Sequence, residues 1–179
     1  MIITIGGTAG SGKSSVAKEL AKRLGYKFYS AGDVRRKYAL SKGISLAELN
    51  KQAEKDPFSD KMVDDYLKKM AESEDDFVVD GRMAFYFIPQ SIKILLEADE
   101  RVRAERLIGR GNPEEDPQNV REALKLVKQR VASDVVRYKK LYNINPYDKK
   151  HYDFVLDTTS NTIEESADEV YSFVKDRAN

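Results

Sequence analysis

The chain has 179 residues, and its 31 basic and 30 acidic side chains leave a net charge of +1. That length predicts about one domain with a full core, and the balanced charge argues against a strongly basic nucleic-acid binder. The absence of cysteine excludes disulfides, thiolate zinc sites and a cysteine nucleophile, and one histidine is too few for a histidine metal cluster. No apolar run approaches the ~18 residues of a membrane span, so we expect a cytoplasmic protein with neither membrane nor nucleic-acid partners.

Short apolar or aromatic runs bounded by turn residues are typical of buried strands. Five such runs occur, at Ile2–Ile5, Tyr26–Tyr29, Phe77–Val79, Ile92–Leu96 and Phe154–Leu156. Helical spacing and capping residues predict helices between them. These cover Ser14–Leu24, Gly32–Leu40, a segment opened by a Ser45–Glu48 capping box, Asp56 to about Met70, Asp99–Ile108, Asp116 to about Leu141, and a last helix capped by Thr162 and Glu165. Alternating strands and helices predict an α/β fold in one domain, residues 1–179, with helices on both faces of a parallel sheet.

The strongest motif lies at residues 7–14, where Gly-Thr-Ala-Gly-Ser-Gly-Lys-Ser fits the phosphate-binding pattern G-x-x-x-x-G-K-S. A predicted strand precedes the motif and a predicted helix follows it, as the pattern requires. The glycines let backbone N–H groups point at phosphate oxygens, and the helix N-terminus adds partial positive charge. Lys13 supplies a point charge, and the Ser14 hydroxyl can hold Mg²⁺. The predicted nucleotide-binding residues are Gly7, Thr8, Ala9, Gly10, Ser11, Gly12, Lys13, Ser14 and Ser15.

A phosphate-binding loop indicates a nucleotide and leaves the reaction open. A GTP-dependent switch should carry N-K-x-D, and the nearest match, residues 50–53, has Ala53 in place of the aspartate. An ATP-driven motor usually needs a larger chain. A small phosphotransferase needs arginines that converge on two phosphates, whereas a non-catalytic nucleotide-binding switch does not.

Several arginines and carboxylates are placed to surround a transferred phosphate. Asp80 and Arg82 follow the predicted strand at Phe77–Val79, and ligands of open α/β sheets bind beyond the carboxyl ends of the strands. Asp80 could therefore organise Mg²⁺, and Arg82 could hold an anion. A phosphate monoester is largely dianionic at pH 7, so it needs no histidine or cysteine base to act as the acceptor.

Two further sets of charged residues bracket the polar loop at about 109–117. Arg106 and Arg110 share one predicted helix face before this loop, and Arg130, Asp134 and Arg137 share another face after it. Closure of the loop as a lid would bring cations onto the transferring group and exclude water. On spacing alone, two solvated helices with i,i+4 ion pairs would explain the same residues.

Together these motifs resemble those of nucleoside monophosphate kinases, and most closely cytidylate kinases of the archaeal type. Residues 30–36 resemble the start of the acceptor-binding helix, where Arg36 matches the arginine that grips the monophosphate. Asp80-Gly81-Arg82 resembles the D-G-R whose arginine meets the same phosphate. The likeness covers roughly residues 2–177 and is weakest over 43–75.

The later motifs also have counterparts in these kinases. Arg106 and Arg110 resemble the lid-entry R-x-x-x-R of adenylate kinases. Arg130, Asp134 and Arg137 match the R-x-x-x-D-x-x-R that bacterial cytidylate kinases direct at the pentose, cytosine and phosphates. Residues 138–142 and 152–158 resemble the archaeal ending.

The chain departs from the family pattern where the base is recognised. Bacterial members follow D-G-R with an aspartate that reads cytosine, and this chain has Met83 there. They also have serine at the position of Ala31, and residues 84–87 differ from archaeal relatives. Residues 83–88 could pack a pyrimidine, but we interpret them as a buried apolar helix turn. These departures concern the base preference and leave the phosphate chemistry unchanged.

The resemblance implies a three-layer P-loop kinase with five parallel strands, an acceptor-binding helical region at about 31–75 and a short helical lid at about 109–117. It implies a monomer that uses ATP and Mg²⁺ to phosphorylate CMP, and dCMP as well. A kinase for AMP or UMP, or a non-catalytic P-loop switch, is the alternative. The catalytic residues implied are Lys13, Asp80, Arg106, Arg110 and Arg130, with Ser14 and Asp80 at the metal. The substrate-binding residues implied are Arg36, Arg82, Asp134 and Arg137, the first two at the acceptor phosphate and the last two at the sugar and base.

Overall fold

The computed structural model describes residues 1–109 and 117–178. The strands are β1 (Ile2–Gly7), β2 (Lys27–Ser30), β3 (Phe77–Asp80), β4 (Ile92–Glu97) and β5 (Phe154–Asp157). The helices are α1 (Lys13–Leu24), α2 (Ala31–Ser41), α3 (Leu46–Ala53), α4 (Phe58–Ser73), α5 (Ala84–Phe87), α6 (Glu100–Glu105), α7 (Val120–Tyr142) and α8 (Ile163–Ala178). All five predicted strands are confirmed to within two residues at their ends.

The strands form one parallel sheet in the order β2-β3-β1-β4-β5. Alternation along the central strand sends Ile3 and Ile5 into a core with α1 and α8, and sends Ile2 into a second core with α4 and α5. Each such side chain stabilises the fold by about 1.5–3 kcal/mol on burial. The predicted three-layer α/β fold is therefore confirmed.

Two helix starts follow the predicted capping boxes. Ser45 Oγ accepts a hydrogen bond from the Glu48 N–H (3.1 Å), and the Glu48 carboxylate accepts one from the Ser45 N–H (2.8 Å). Thr162 and Glu165 make the same reciprocal pair before α8. Each cap contributes about 1 kcal/mol because it satisfies N–H groups that lack a partner within the helix.

The predicted start of the long helix is wrong by several residues. We expected Asp116 as the cap and Pro117 in the first turn, but α7 begins at Val120. Asn119 is the cap, and its Oδ1 accepts a hydrogen bond from the Glu122 N–H (3.0 Å). Asn119 and Glu122 have the spacing of a capping pair, so they outcompete proline as a start signal. Asp116 lies outside the described residues.

The predicted acceptor-binding region corresponds to α2, α3 and α4, and the apolar turn predicted after β3 is confirmed as α5. Most of the predicted lid, residues 110–116, lies outside the described residues. None of the helices in the described ranges is long and apolar enough to cross a membrane.

Candidate active site

A cavity of about 500 Å³ opens at the carboxyl end of the sheet, where β1 and β3 end. The P-loop, α2, α3, α4, the turn after β3, and α7 all contribute to its walls. Eight of the predicted site residues line it together, namely Ala9, Gly10, Lys13, Ser14, Arg36, Asp80, Arg82 and Arg130. The fold thus brings the nucleotide motif and the acceptor arginines to one space.

The P-loop connects β1 to α1 and needs glycine for two different reasons. Gly10 has φ +84°, and a Cβ there would lie 2.3 Å from the Arg103 carbonyl oxygen. Gly12 also has a positive φ, +83°, but none of the described residues lies within 4 Å of its Cβ position, so the backbone conformation requires glycine there. Gly12, the N-cap of α1, makes no side-chain cap bond, so this helix N-terminus can bind an anion. This cradle fits the phosphates of a nucleotide.

Ser14 and Asp80 meet beside the P-loop, as the sequence predicted for a metal site. The Ser14 hydroxyl donates to Asp80 Oδ2, and Asp80 lies opposite Ile5 in the β1–β3 register. Asp80 is buried, and its Oδ1 has no hydrogen-bond partner in the described part of the chain. A hydroxyl and a carboxylate with an unused buried oxygen form a donor set that fits Mg²⁺, which prefers oxygen ligands.

Arg82 lines the cavity and is held from behind by the buried Asp134 and the half-buried Tyr147. Its guanidinium forms an ion pair with Asp134, and its Nε donates to the Tyr147 hydroxyl (3.3 Å). The same hydroxyl donates to Asp134 Oδ2 (2.6 Å). Burial lowers the pKa of Arg82, but the Asp134 carboxylate and the hydroxyls of Tyr147 and Tyr138 together outweigh burial and raise it. Arg82 therefore stays cationic and fixed in direction.

The Arg82–Asp134 pair is one end of a longer buried ion network, which consists of Arg35, Asp60, Arg137, Asp134 and Arg82. Arg137 donates to Asp134 through Nη2 (2.9 Å) and to Asp60 through Nε (3.0 Å). Asp60 accepts a further hydrogen bond from Arg35 through its other oxygen. The network joins α2, α4, α7 and the end of β3 through alternating charges, so each buried charge has a partner.

Asp134 and Arg137 lie behind the cavity wall, each only 3% exposed. Their contacts in this structure are with Arg82 and Asp60, and neither residue lines the cavity. Their predicted contacts with the sugar and base remain predictions. In this structure Asp134 holds Arg82 at the end of β3, and Arg137 holds the Asp60 carboxylate of α4.

The remaining predicted arginines have different surroundings. Arg36 lines the cavity from α2 and pairs with Asp33 at the protein surface. Arg106 does not line the cavity; its Nη2 donates to the Thr158 carbonyl (2.6 Å), and the Thr158 hydroxyl donates to the Ser11 carbonyl of the P-loop (3.0 Å). Arg106 thereby braces the P-loop from outside. Arg110 lies outside the described residues.

Sequence reasoning missed several residues that build this site, namely Arg35, Asp60, Asp64 and Tyr147. A signal existed for the two aspartates, because they stand four residues apart on the same face of α4 as Val63 and Leu67. Acidic residues in an apolar helix stripe indicate buried carboxyl groups. Tyr147 follows α7 in an irregular segment, and no sequence pattern distinguishes it.

Residues 2–160 match the model of the cytidylate kinase-like family. A cytidylate kinase of Natronomonas pharaonis is 41% identical over 160 residues, which span 88% of this chain and 81% of that protein. A cytidylate kinase of Methanocella arvoryzae is 39% identical over 159 residues, 89% of this chain and 88% of that protein. The likeness seen in the motifs thus extends over most of the chain.

Solved structures agree with the fold. An uncharacterized protein from Eubacterium ventriosum superimposes with a TM-score of 0.69 at 22% identity, over 98% of both chains. Shikimate kinase from Aquifex aeolicus superimposes with a TM-score of 0.62 at 19% identity, over 99% of this chain and 98% of that one. At these identities the structural likeness shows the fold alone. The family model and the archaeal relatives show the family: the chain belongs to the cytidylate kinase-like family.

Proposed function

We propose that the protein transfers the γ-phosphoryl group of ATP to CMP, yielding ADP and CDP, and that it accepts dCMP as well. The observation that carries the proposal is the one cavity lined both by the P-loop and by Arg36 and Arg82. Membership of the cytidylate kinase-like family and the named archaeal relatives support CMP as the acceptor. The enzyme would act as a monomer in the cytoplasm on small-molecule substrates.

The donor end of the cavity would hold the phosphates of ATP. Backbone N–H groups of residues 7–15 and the Lys13 ammonium would bind them, with the N-terminus of α1 behind. Ser14 and Asp80 would hold Mg²⁺, which supplies charge neutralisation on the donor phosphates when bound. The roles of this chain's own groups are thus positioning and electrostatic stabilisation.

At the acceptor end, Arg36 and Arg82 would hold the CMP phosphate, which is largely dianionic at pH 7. One of its oxygens attacks the γ-phosphorus, the bond between that phosphorus and the bridging oxygen to the β-phosphate breaks, and ADP leaves. No side chain must remove a proton. Arg130 from the cavity wall, with Arg110, would neutralise the charge on the group in transit, while Arg106 would support the P-loop through Thr158.

A coupled assay of ADP release with ATP, Mg²⁺ and one acceptor at a time tests the proposal. The acceptors are CMP, dCMP, UMP, AMP and GMP, and we expect the highest kcat/KM with CMP and dCMP. Preference for AMP or UMP would keep the mechanism and overturn the acceptor. ATP binding without any acceptor-dependent turnover would overturn the kinase and favour a nucleotide-binding switch.

A further inference from the structure

Part of the cavity wall is apolar. Val63 and Leu67 of α4 line it together with Met83, which follows Arg82 and is 3% exposed. An apolar wall of this kind suits the faces of a nucleobase, and a small number of polar groups must then fix its identity. One carboxyl group, Asp64 of α4, stands among these apolar side chains and lines the same cavity, with only 4% of its surface exposed.

Three carboxyl groups line the cavity, and two of them already have partners that explain them. Asp80 meets Ser14 beside the P-loop. Asp60 uses both oxygens to accept hydrogen bonds from Arg35 and Arg137. Asp64 differs, because its contact with the described residues is a hydrogen bond from the Tyr142 hydroxyl and not an ion pair. Burial of a carboxylate charge without a cation costs free energy, so we expect this group to bind a ligand or to carry a proton.

A single hydrogen bond fixes the direction of the Asp64 carboxyl. The Tyr142 hydroxyl of α7 donates to Oδ2, and the Tyr142 ring is held by Phe87 (ring centroids 5.3 Å apart) and Tyr86 (5.6 Å). Oδ1 has no partner among the described residues and is not enclosed. Burial raises the pKa of Asp64 to about 7, against the opposing effect of the Tyr142 hydrogen bond. One oxygen is thus anchored, and the other is available to the cavity.

We propose that Asp64 reads the acceptor base, with Oδ1 accepting a hydrogen bond from the exocyclic 4-amino group of cytosine. Uracil presents an acceptor, O4, at the same position, so the carboxylate and O4 would face each other without a proton between them. A site built to bond an amino group rejects an analogue that lacks it, because the buried oxygen is then left unpaired. This inference rests on the proposed function and assigns its base specificity to α4, where no sequence motif lies.

The variant Asp64→Asn tests this role, because it replaces the hydrogen-bond acceptor at the cavity with a donor. The Tyr142 hydroxyl can still donate, but only to the amide oxygen, which turns the amide NH₂ toward the cavity. That group repels the amino group of cytosine and matches O4 of uracil. We expect the ratio of kcat/KM for CMP to that for UMP to fall by about 10- to 100-fold, the range given by one base-reading contact.

The matched control is Asp65→Asn, which removes an equal charge from the exposed side of the same helix and should leave the ratio unchanged. The second variant, Tyr142→Phe, keeps the Asp64 charge but removes the hydrogen bond that orients the carboxyl group. We expect this variant to lower the CMP to UMP ratio of kcat/KM by a smaller factor. Calorimetric binding of CMP and UMP to each protein provides the same comparison without turnover.

The outcomes separate this inference from the proposed function. Absence of CMP turnover in the wild type would overturn the kinase assignment. A wild type that prefers CMP, with an unchanged ratio in both Asp64→Asn and Tyr142→Phe, would overturn the base-reading role alone. If the two residues only fasten α4 to α7, both variants will unfold at lower urea concentrations while their CMP to UMP ratio stays constant, and this result also overturns the inference.

Discussion

The two ends of the cavity are built in opposite ways. At the donor end, nine consecutive residues form the P-loop, and backbone conformation does most of the positioning. At the acceptor end, the buried ion network connects side chains from α2, α4, α7 and the end of β3, and its directly bonded partners stand up to 77 residues apart along the chain. Local sequence therefore determines the first end, whereas only tertiary packing assembles the second.

The contrast between the two ends predicts where substitutions should act. A change at Lys13 removes a positive charge that neutralises the transferred group and should leave the core intact. A change in the buried ion network strands a charge inside the protein, so it should reduce the free energy of unfolding before it affects chemistry. Substitutions at the P-loop should therefore change turnover most, and substitutions in the ion network should change stability most.

Lys13→Ala should lower kcat by about 10³-fold, because a cation on the donor phosphates is lost in the transition state. The urea midpoint of unfolding should stay the same, since the P-loop backbone remains. Lys22→Ala, which removes an exposed lysine from the same helix, is the control and should retain full activity. A Lys13→Ala enzyme with near-normal turnover would contradict the assignment of the donor end.

Asp60→Asn should lower the free energy of unfolding by about 3 kcal/mol, because Arg35 and Arg137 both lose a buried charged partner. Urea titration followed by circular dichroism measures the change. Glu105→Gln breaks the exposed ion pair with Arg101 and should cost less than about 0.5 kcal/mol. Equal losses of unfolding free energy in the two variants would show that the buried network stabilises the fold no more than a surface ion pair does.

Tyr147→Phe should raise the KM for CMP by roughly 3- to 10-fold while changing kcat less, since about 1 kcal/mol is typical of one hydrogen-bonding group. The hydroxyl bonds both Arg82 and Asp134, and its loss lets the arginine at the acceptor phosphate relax. Steady-state kinetics with CMP as the varied substrate measures the effect, with Tyr171→Phe on α8 as the control. A fall in kcat at constant KM would place Tyr147 in the chemical step instead.

The preference for CMP over UMP should weaken by a few-fold between pH 8 and pH 6. Burial raises the pKa of Asp64 to about 7, with Asp60 and Asp65 raising it further and Tyr142 and Lys68 opposing them. Above that pH the carboxylate accepts from the cytosine amino group, and below it the protonated acid can also donate to O4 of uracil. The titration of the phosphate cancels in the ratio, because both acceptors are monophosphates.

The raised pKa of Asp64 also predicts that the free energy of unfolding falls as the pH rises. The folded protein keeps a proton on Asp64 that the unfolded chain releases, so the contribution of this group to stability is present below about pH 4. It is lost as the pH rises to about 7. Asp64→Asn should remove this dependence, which urea titrations at pH 5 and pH 8 would show as a smaller difference than in the wild type.

Much of the donor end could be predicted because its information is local. The G-x-x-x-x-G-K-S spacing, the preceding apolar run and the following helical pattern specified the P-loop, and Asp80 was placed by the rule that ligands bind at the carboxyl ends of strands. The start of α7 was predicted wrongly because Asn119 and Glu122 outcompete Pro117 as a helix start signal. The lid prediction falls mostly on residues 110–116, outside the described ranges.

The five strands, the layers of the fold and the phosphate-binding loop follow from local sequence, because periodicity and turn chemistry act over a few residues. Three contacts depend on packing: Asp134, itself bonded to Arg137, holds Arg82 from behind, Arg106 braces the P-loop through Thr158, and α4 places Asp64 at the cavity. These contacts join segments far apart in the chain, and a buried charge takes its partner from whatever side chain the packing brings beside it.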